Sequence, residues 1–196
     1  MAGRPLGFDR DAALAAAVEQ FWRAGFAGTT ISMLTKAMGV TPPSLYTAFG
    51  DKNRLFEEAA ENYFQRTCEA LDRFAEQRNA HDAIAQMLNG TARAHTAEGT
   101  PPGCLMLSEP RLTAQRDDLR RRIRDRLDRG VRDGDLPPDT LTDQLATFLV
   151  AVMRGMSGSA RDGGTFDELL AIAATAMAAL PPRPDGEDSS GCLPSA

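Results

Sequence analysis

The sequence has few of the residues that hold metals or disulfides. Its 196 residues include two histidines and three cysteines, Cys68, Cys104 and Cys192, which are widely spaced and form no CxxC motif. An odd number of separated cysteines argues against a disulfide framework, and the absence of CxxC argues against a structural metal site. We therefore predict no metal and no cofactor.

Long apolar runs are also missing. No stretch of about 18 consecutive apolar residues occurs, which is the length at which a membrane-spanning helix becomes a candidate. The N-terminus does not show the basic and then apolar order of a signal peptide. We therefore expect a cytoplasmic protein with no membrane partner.

Charge is divided unevenly along the chain. The formal net charge is −5, but residues 1–56 carry six basic and four acidic side chains, whereas the rest carries sixteen basic and twenty-three acidic ones. A slightly basic N-terminal part on an acidic body is compatible with DNA binding at one end only.

Apolar residues recur at helical spacing along most of the chain, and no segment alternates as a half-buried strand does. We predict an all-α fold of about nine helices. Asp9 caps the first helix. A long helix capped by Asp51 runs to about residue 77, and another helix occupies residues 114–132.

Near the C-terminus the pattern predicts an apolar helix from Leu141 to Met156 and then a flexible connection, Ser157–Gly164. Thr165 and Glu168 have the spacing of a capping box, which opens the last helix.

Residues 29–52, TTISMLTKAMGVTPPSLYTAFGDK, have the layout of a helix-turn-helix. Thr29 or Thr30 caps a short helix, Gly39 supplies the left-handed residue that ends it, and Pro42 occupies the first position of the next helix. In such a motif the first helix crosses the DNA backbone and the second enters the major groove. The sequence therefore predicts DNA binding.

Residues at the helix ends and on the exposed face of this motif, together with Arg4 upstream of it, are the candidate DNA contacts. Those at the ends can reach phosphates. The others can make single hydrogen bonds or methyl contacts to bases, but not the bidentate guanine contact of an arginine, so we expect readout that is partly apolar and partly through DNA shape. The predicted contacts are Arg4, Thr29, Thr30, Thr41, Pro42, Pro43, Ser44, Tyr46, Thr47 and Lys52.

The stretch FWRAGFAGTTISMLTKAMGVTPPSLYTAFGDKNRLFEEAAENY closely resembles the N-terminal signature of TetR-type transcriptional regulators. Helix spacing, Gly39-Val40, Leu45-Tyr46, Phe49 and Asp51-Lys52 carry the resemblance. It implies an all-helical homodimer, usually a repressor, that leaves its double-stranded operator when a small molecule binds the C-terminal domain. The identity of that effector stays open.

The same resemblance implies that Thr30, Thr41, Ser44, Tyr46 and Lys52 contact DNA. The Pro42-Pro43 pair departs from the small or basic residues that the family often has there, which leaves the sequence preference open. Gly3-Arg4-Pro5 resembles the short basic arm that some of these regulators lay along the minor groove. The alternative is a tail that carries one arginine.

The C-terminal half is apolar and rich in methionine, which suits an adaptable pocket, although methionines at helical spacing also fill ordinary cores. The candidate pocket residues are Phe64, Cys68, Met87, Cys104, Leu105, Met106, Leu107, Leu149 and Met153.

Cys104 lies at the predicted start of a short helix, where the helix dipole lowers the pKa of a thiol and favours the reactive thiolate. Its segment resembles the GCL stretch of a TetR subgroup that includes electrophile- and oxidant-sensing repressors. Both lysines of the chain, Lys36 and Lys52, lie in the DNA-binding end, which rules out a cysteine–lysine couple. Two interpretations stay open: a sensing thiol that is oxidised or alkylated, or an inert small apolar side chain.

The arginine-rich segment 116–132 contains acidic residues four positions before basic ones, the favourable order on a helix. This pattern predicts a mixed-charge, solvent-facing helix rather than a second nucleic-acid patch. The pairs are Asp117–Arg121, Asp118–Arg122, Asp125–Arg129 and Asp128–Arg132.

The last two apolar helices have more hydrophobic surface than one small domain can cover. Packed against the same pair of a second chain, they would form a four-helix interface. A dimer would also place two recognition helices about 34–36 Å apart, as a pseudo-palindromic operator requires. The predicted interface residues are Leu145, Phe148, Val152, Met156, Phe166, Leu170, Ala173 and Met177.

The sequence thus predicts a helix-turn-helix domain at 1–50, a helical ligand-binding and dimerisation domain at 51–181 and a disordered tail at 182–196. One alternative is a helical enzyme with a C-terminal pocket, against which stands the absence of paired carboxylates and metal-ligand spacing. Another is an architectural DNA binder without a sensor, which a tightly packed C-terminal bundle with no cavity would favour.

Overall fold

A computed structural model of the chain describes residues 8–184. Within that range the fold is all-α, as predicted, with nine helices and no strand. The predictions for Arg4, Cys192 and the tail beyond residue 184 lie outside the described residues. The helices are α1 (Arg10–Gly28), α2 (Ile31–Met38), α3 (Pro42–Phe49), α4 (Lys52–Ala75), α5 (Ala80–His95), α6 (Leu105–Ser108), α7 (Thr113–Arg132), α8 (Thr142–Arg161) and α9 (Phe166–Met177).

The predicted caps set the ends of the first helices. The Asp9 carboxylate accepts the backbone N–H groups of Asp11 and Ala12. Of the two candidate threonines, Thr30 caps α2, and Gly39 ends that helix in the left-handed conformation, with φ of 65°. Each cap satisfies backbone groups that the helix itself leaves unpaired.

α1 and α4 hold α2 and α3 against a shared aromatic core. Phe21 is fully buried and meets the ring of Phe56 edge-on at 5.1 Å between centroids. Arg10 forms a bidentate ion pair with Glu58, at 2.5 and 2.7 Å, and its guanidinium lies 4.5 Å from the centre of the Phe49 ring. Together these contacts join α1, the end of α3 and α4 into one unit.

The prediction of a flexible connection at Ser157–Gly164 is wrong for its first half, because α8 continues to Arg161. Ser157 is buried, and its hydroxyl accepts the backbone N–H of Cys104 at 2.9 Å. This tertiary contact outweighs the weak helix propensity of serine and glycine here. The capping box of Thr165 and Glu168 is confirmed at the start of α9.

The charged residues of α7 face solvent less completely than the sequence predicts. The predicted pair Asp118–Arg122 forms at 2.8 Å. Arg129, in contrast, donates to the backbone carbonyl of Ala75, and Arg126 is buried. One face of the helix therefore packs against the end of α4. No helix between residues 8 and 184 is long and apolar enough to cross a membrane.

Candidate nucleic-acid interface and junction cavity

α3 displays a surface of short polar side chains. Thr41 caps the helix, accepting the backbone N–H of Ser44 at 3.4 Å, and the two hydroxyl oxygens lie 2.9 Å apart. Pro42 begins the helix, where its missing N–H leaves no bond unmade. Tyr46 is 48% exposed, and Thr47 is exposed and donates to the carbonyl of Pro43. The face therefore offers hydroxyls and proline rings but no long basic chain.

Thr29 requires a correction. Its side chain is 1% exposed, and its hydroxyl donates to the carbonyl of Gly25 at 2.7 Å. A hydroxyl that is buried and already bonded is not available to a phosphate. Of the two threonines, only Thr30 presents its side chain at the surface.

Lys52 lies at the first position of α4 with its ammonium 4.2 Å from the centre of the Phe26 ring. Arg111 stacks at 3.8 Å from the same ring centre, and its guanidinium donates to Asn53 at 3.2 Å. Such cation–π contacts hold both basic groups at this edge of the domain. The sequence did not single out Arg111, because it is 59 positions from Lys52 and no local pattern connects them.

A cavity of about 530 Å³ lies where α1 meets the C-terminal helices. We call it the junction cavity. Its walls come from α1, α4, α5, α6, α8 and the loop before α6. Four predicted pocket residues line it, whereas Met87 lines a different cleft and four others line neither. The four that line it are Cys104, Met106, Leu107 and Met153, and the four that line neither are Phe64, Cys68, Leu105 and Leu149.

The wall of the junction cavity contains polar groups that sequence analysis missed. Trp22 and His95 both line it, and the Trp22 indole N–H and His95 Nδ1 are buried without a hydrogen-bond partner among the described residues. Burial, reinforced by the charge of Arg161, lowers the pKa of His95 to about 4. The cavity therefore presents a neutral imidazole beside an indole donor.

The environment of Cys104 favours the inert one of the two interpretations that the sequence leaves open. Cys104 is buried, and the Tyr63 hydroxyl donates to its sulfur at 3.2 Å. Burial raises the pKa of the Cys104 thiol above its ordinary value, although hydrogen bonds act in the opposite direction. Because α6 has only four residues, its dipole is too short to offset the loss of hydration.

Two hydrogen bonds join α1 to the C-terminal helices beside the cavity. Glu109 Oε2 accepts the backbone N–H of Phe26 at 2.8 Å. Arg161 donates to the backbone carbonyl of Trp22 at 2.7 Å. α1 therefore contacts both the loop after α6 and the end of α8.

The predicted dimer surface is partly exposed. Phe148 on α8 and Phe166 on α9 are 41% and 36% exposed. Leu145, Met156 and Ala173, also predicted for the interface, are buried in the core of their own chain and offer little surface to a second one. Val152, Leu170 and Met177 are half-buried. Among residues 8–184, no group of three or more potential ligands is arranged to hold a metal ion.

The chain is similar to bacterial transcriptional regulators. Residues 13–59 match the family model described as bacterial regulatory proteins, tetR family. The HTH-type transcriptional repressor ComR of Escherichia coli (strain K12) is 32% identical, over 91% of this chain and 92% of that protein. The repressor BdcR of the same organism is 29% identical over the same shares.

A solved structure shows the same fold. A cysteine mutant of the TetR family transcriptional regulator CifR, complexed with 26-bp double-strand operator DNA, superimposes with a TM-score of 0.87. The two sequences are 37% identical. The match covers 91% of this chain and 100% of the CifR chain.

Proposed function

The chain belongs to the TetR family of bacterial regulatory proteins and is a DNA-binding transcriptional repressor. We propose that α3 enters the major groove of an operator. We also propose that the junction cavity binds the molecule that releases the repressor from the operator. The fold, the helix-turn-helix and the likeness to an operator-bound regulator support the first proposal. The second proposal depends on where the cavity lies.

Contacts with DNA would come from both ends of α3 and from the edge of α4. Thr30, Tyr46 and Lys52 would hold phosphates, with Arg111 beside them, and these contacts would set the register of the protein on the duplex. Thr41, Pro42, Pro43, Ser44 and Thr47 would face the bases. Since they cannot make a bidentate guanine contact, thymine methyl groups and DNA shape would carry more of the selectivity.

A homodimer would supply two such surfaces. The exposed Phe148 and Phe166, with the half-buried Val152, Leu170 and Met177, support an interface through α8 and α9. The two-fold axis would set the recognition helices about 34–36 Å apart, which matches successive major grooves on one side of the duplex.

One observation carries the proposal of ligand control: α1 is a wall of the junction cavity and also supports α2 and α3. Ala15, Val18, Glu19 and Trp22 line the cavity from α1. A ligand that displaced Trp22 would therefore act on the helix-turn-helix through packed atoms. A ligand shifts the equilibrium only if it binds one arrangement more tightly than the other.

Unpaired polar groups define the chemistry of that ligand. His95 Nδ1 and the Trp22 N–H both lack a hydrogen-bond partner among the described residues. A small neutral molecule with one hydroxyl or amide group and an apolar body fits these two groups and the methionine-lined wall.

We also propose the division predicted from the sequence, with the DNA-binding domain ending near residue 50 and the effector-binding and dimerisation domain beginning at α4. A repressor of this kind acts where the chromosome lies, so we propose a cytoplasmic location.

The other candidate functions receive less support. The family is one of regulators, not of enzymes. The junction cavity argues against an architectural DNA binder with no sensor. The burial and raised pKa of Cys104 argue against a thiol that is reactive in the folded repressor.

The proposal is tested in two steps on a DNA fragment from the region upstream of the gene, at one stated salt concentration. Footprinting should show two protected major grooves one helical turn apart.

In the second step, neutral compounds are screened for release of the repressor from this DNA. Ala94→Phe, at the cavity wall, should lose the response to a releasing compound and keep its affinity for DNA. Ala114→Phe, which is exposed on α7, is the control. Equal release of both variants would contradict the assignment of the cavity.

A further inference from the structure

A second cleft, of about 330 Å³, lies between α4, α5 and α7. We call it the α7 cleft. Its apolar walls come from Leu71, Phe74, Ala83, Ile84, Met87 and Ile123, and four arginines of α7 border it: Arg122, Arg126, Arg129 and Arg132. Its volume is at the lower end of the range of about 300–1,000 Å³ for small-molecule sites.

Arg126 is the unusual member of this group. It is 6% exposed, and one of its terminal nitrogens donates to the carbonyl of Gln77 at 3.1 Å. Its Nε and Nη1 are buried without any acceptor among the described residues. Burial lowers the pKa of Arg126, and the charge of Arg129 acts in the same direction. Asp135 and Asp133 act on its charge in the opposite direction, but neither forms an ion pair with it. Burying a guanidinium is unfavourable unless its charge is paired and its N–H groups are hydrogen-bonded.

The carboxylates that border the cleft are paired with Arg122 and Arg124 rather than with Arg126 or Arg132. Asp72 pairs with Arg122 at 2.8 Å, and Asp125 pairs with Arg124 at 2.9 Å. Within residues 8–184, neither Arg126 nor Arg132 has a carboxylate within ion-pair distance. The α7 cleft therefore has an excess of positive charge next to an apolar wall.

A purely structural role accounts for part of this arrangement. Arg129 donates to the carbonyl of Ala75 at the C-terminal end of α4, and Arg126 donates to the carbonyl of Gln77 just after it. Cations are favourable at this end of a helix. That role uses one nitrogen of Arg126 and explains neither its two unpaired nitrogens nor the open apolar volume beside it.

We propose that the α7 cleft binds a small amphiphilic carboxylate, with its charged group among Arg126, Arg129 and Arg132 and its short hydrocarbon body against the apolar wall. A carboxylate supplies the charge and the acceptors that Arg126 lacks, and hydrogen bonds between ionised groups are stronger than neutral ones. The site goes beyond the proposed repressor function and does not depend on it. Leu71 and Phe74 line both cavities, so an occupant would contact the half of α4 that also borders the junction cavity.

Titration calorimetry with sodium octanoate tests the proposal on the full chain. The wild type should bind one octanoate per chain with saturation. Arg126→Met, which keeps the length of the side chain and removes its charge, should weaken binding at least tenfold. Arg132→Gln, at the exposed rim, should weaken it several-fold. Arg121→Gln, on α7 but outside the cleft, is the matched control and should bind as the wild type does. Circular dichroism establishes that each variant is folded.

Two further ligands separate the parts of the site. Octanol, which lacks the charge, and inorganic phosphate, which lacks the apolar body, should each bind at least tenfold more weakly than octanoate. Ala94→Phe should leave octanoate binding unchanged, because Ala94 lines only the junction cavity. Octanoate binding that is unaffected by both Arg126→Met and Arg132→Gln would overturn the proposal. So would octanol or phosphate that binds as tightly as octanoate.

Discussion

The Glu109 side chain holds the backbone of Phe26, 83 positions earlier in the chain, through a hydrogen bond of 2.8 Å. The bond exists because Gly25 interrupts α1 with φ of 67° and ψ of 174°, which frees the Phe26 N–H from the helical ladder. Glu109 Oε1 accepts the N–H of Arg111 at 3.1 Å. A single buried carboxylate thus joins the helix that supports the DNA-binding motif to the loop beside the junction cavity.

Replacing Glu109 tests this connection. Glu109→Leu leaves two backbone N–H groups without their acceptor, so we expect the free energy of unfolding to fall by about 1–3 kcal/mol. Urea denaturation measures the change. Glu98→Leu, at an exposed position in the loop before α6, is the control and should change stability by less than about 0.5 kcal/mol. Equal stability of the two variants would show that the Glu109 bond contributes nothing.

The conformation of Gly25 leads to a second prediction. Its φ is positive, and a β-carbon there would lie 3.2 Å from Glu109 Oε2. Gly25→Ala should therefore destabilise the protein by about 1–3 kcal/mol. Gly28→Ala, whose added carbon would meet only Ala24 at an ordinary 3.5 Å, should be neutral or slightly stabilising. Thermal unfolding measures the stability of both variants. A Gly25→Ala variant as stable as Gly28→Ala would contradict the prediction.

Local chemistry predicted the helix-turn-helix closely. Thr30, Gly39, Thr41 and Pro42 act at positions whose geometry depends on a few neighbouring residues, and all four do what the sequence indicates. The end of α8 was missed because its serines and glycines suggest a loop, whereas in the fold Ser157 is buried and bonded to Cys104, 53 positions away. Contacts of that kind leave no periodic signal in the sequence.

The buried histidine gives a pH prediction. Because the pKa of His95 falls to about 4 in the folded chain from an ordinary 6.5, the unfolded state binds the proton more readily between those values. The neutral His95 therefore contributes about 3 kcal/mol to the free energy of unfolding above pH 6.5. This contribution is lost as the pH falls from 6.5 through 4. In urea denaturation, the free energy of unfolding of His95→Gln should fall less between pH 7 and pH 4 than that of the wild type. The free energy of unfolding of His81→Gln should fall as much as that of the wild type. Identical pH profiles for the wild type and His95→Gln would contradict the assignment.

The Cys104 thiol should be unreactive in the folded protein. Its burial and raised pKa disfavour the thiolate, which is the nucleophilic form. In a chain with Cys68→Ser and Cys192→Ser, a thiol-specific reagent should react with Cys104 slowly in buffer and rapidly in urea. Equal rates in buffer and in urea would restore the thiol-sensing interpretation.

The cavities depended on packing that the sequence could not define. Met106 and Met153 line the junction cavity, whereas Met87, predicted for the same pocket, lines the α7 cleft. All three occur at helical spacing on apolar faces, so periodicity alone could not distinguish them. Arg126 was hidden for a related reason, because a regular charge pattern does not reveal which residue turns towards a neighbouring helix.

Equilibrium binding to DNA tests the central claim most directly. A site is first selected from a random DNA pool by the wild type, and affinity is then measured by fluorescence anisotropy over a series of salt concentrations. Tyr46→Phe, which loses only one hydroxyl, should bind more weakly by about 0.5–1.5 kcal/mol. Lys52→Gln should bind more weakly and lower the slope of log affinity against log salt by about 1. Arg93→Gln, exposed on α5, should match the wild type. If the wild type selects no site, or if Tyr46→Phe and Lys52→Gln both bind as the wild type does, the assignment of α3 and the start of α4 as the DNA-binding surface is contradicted.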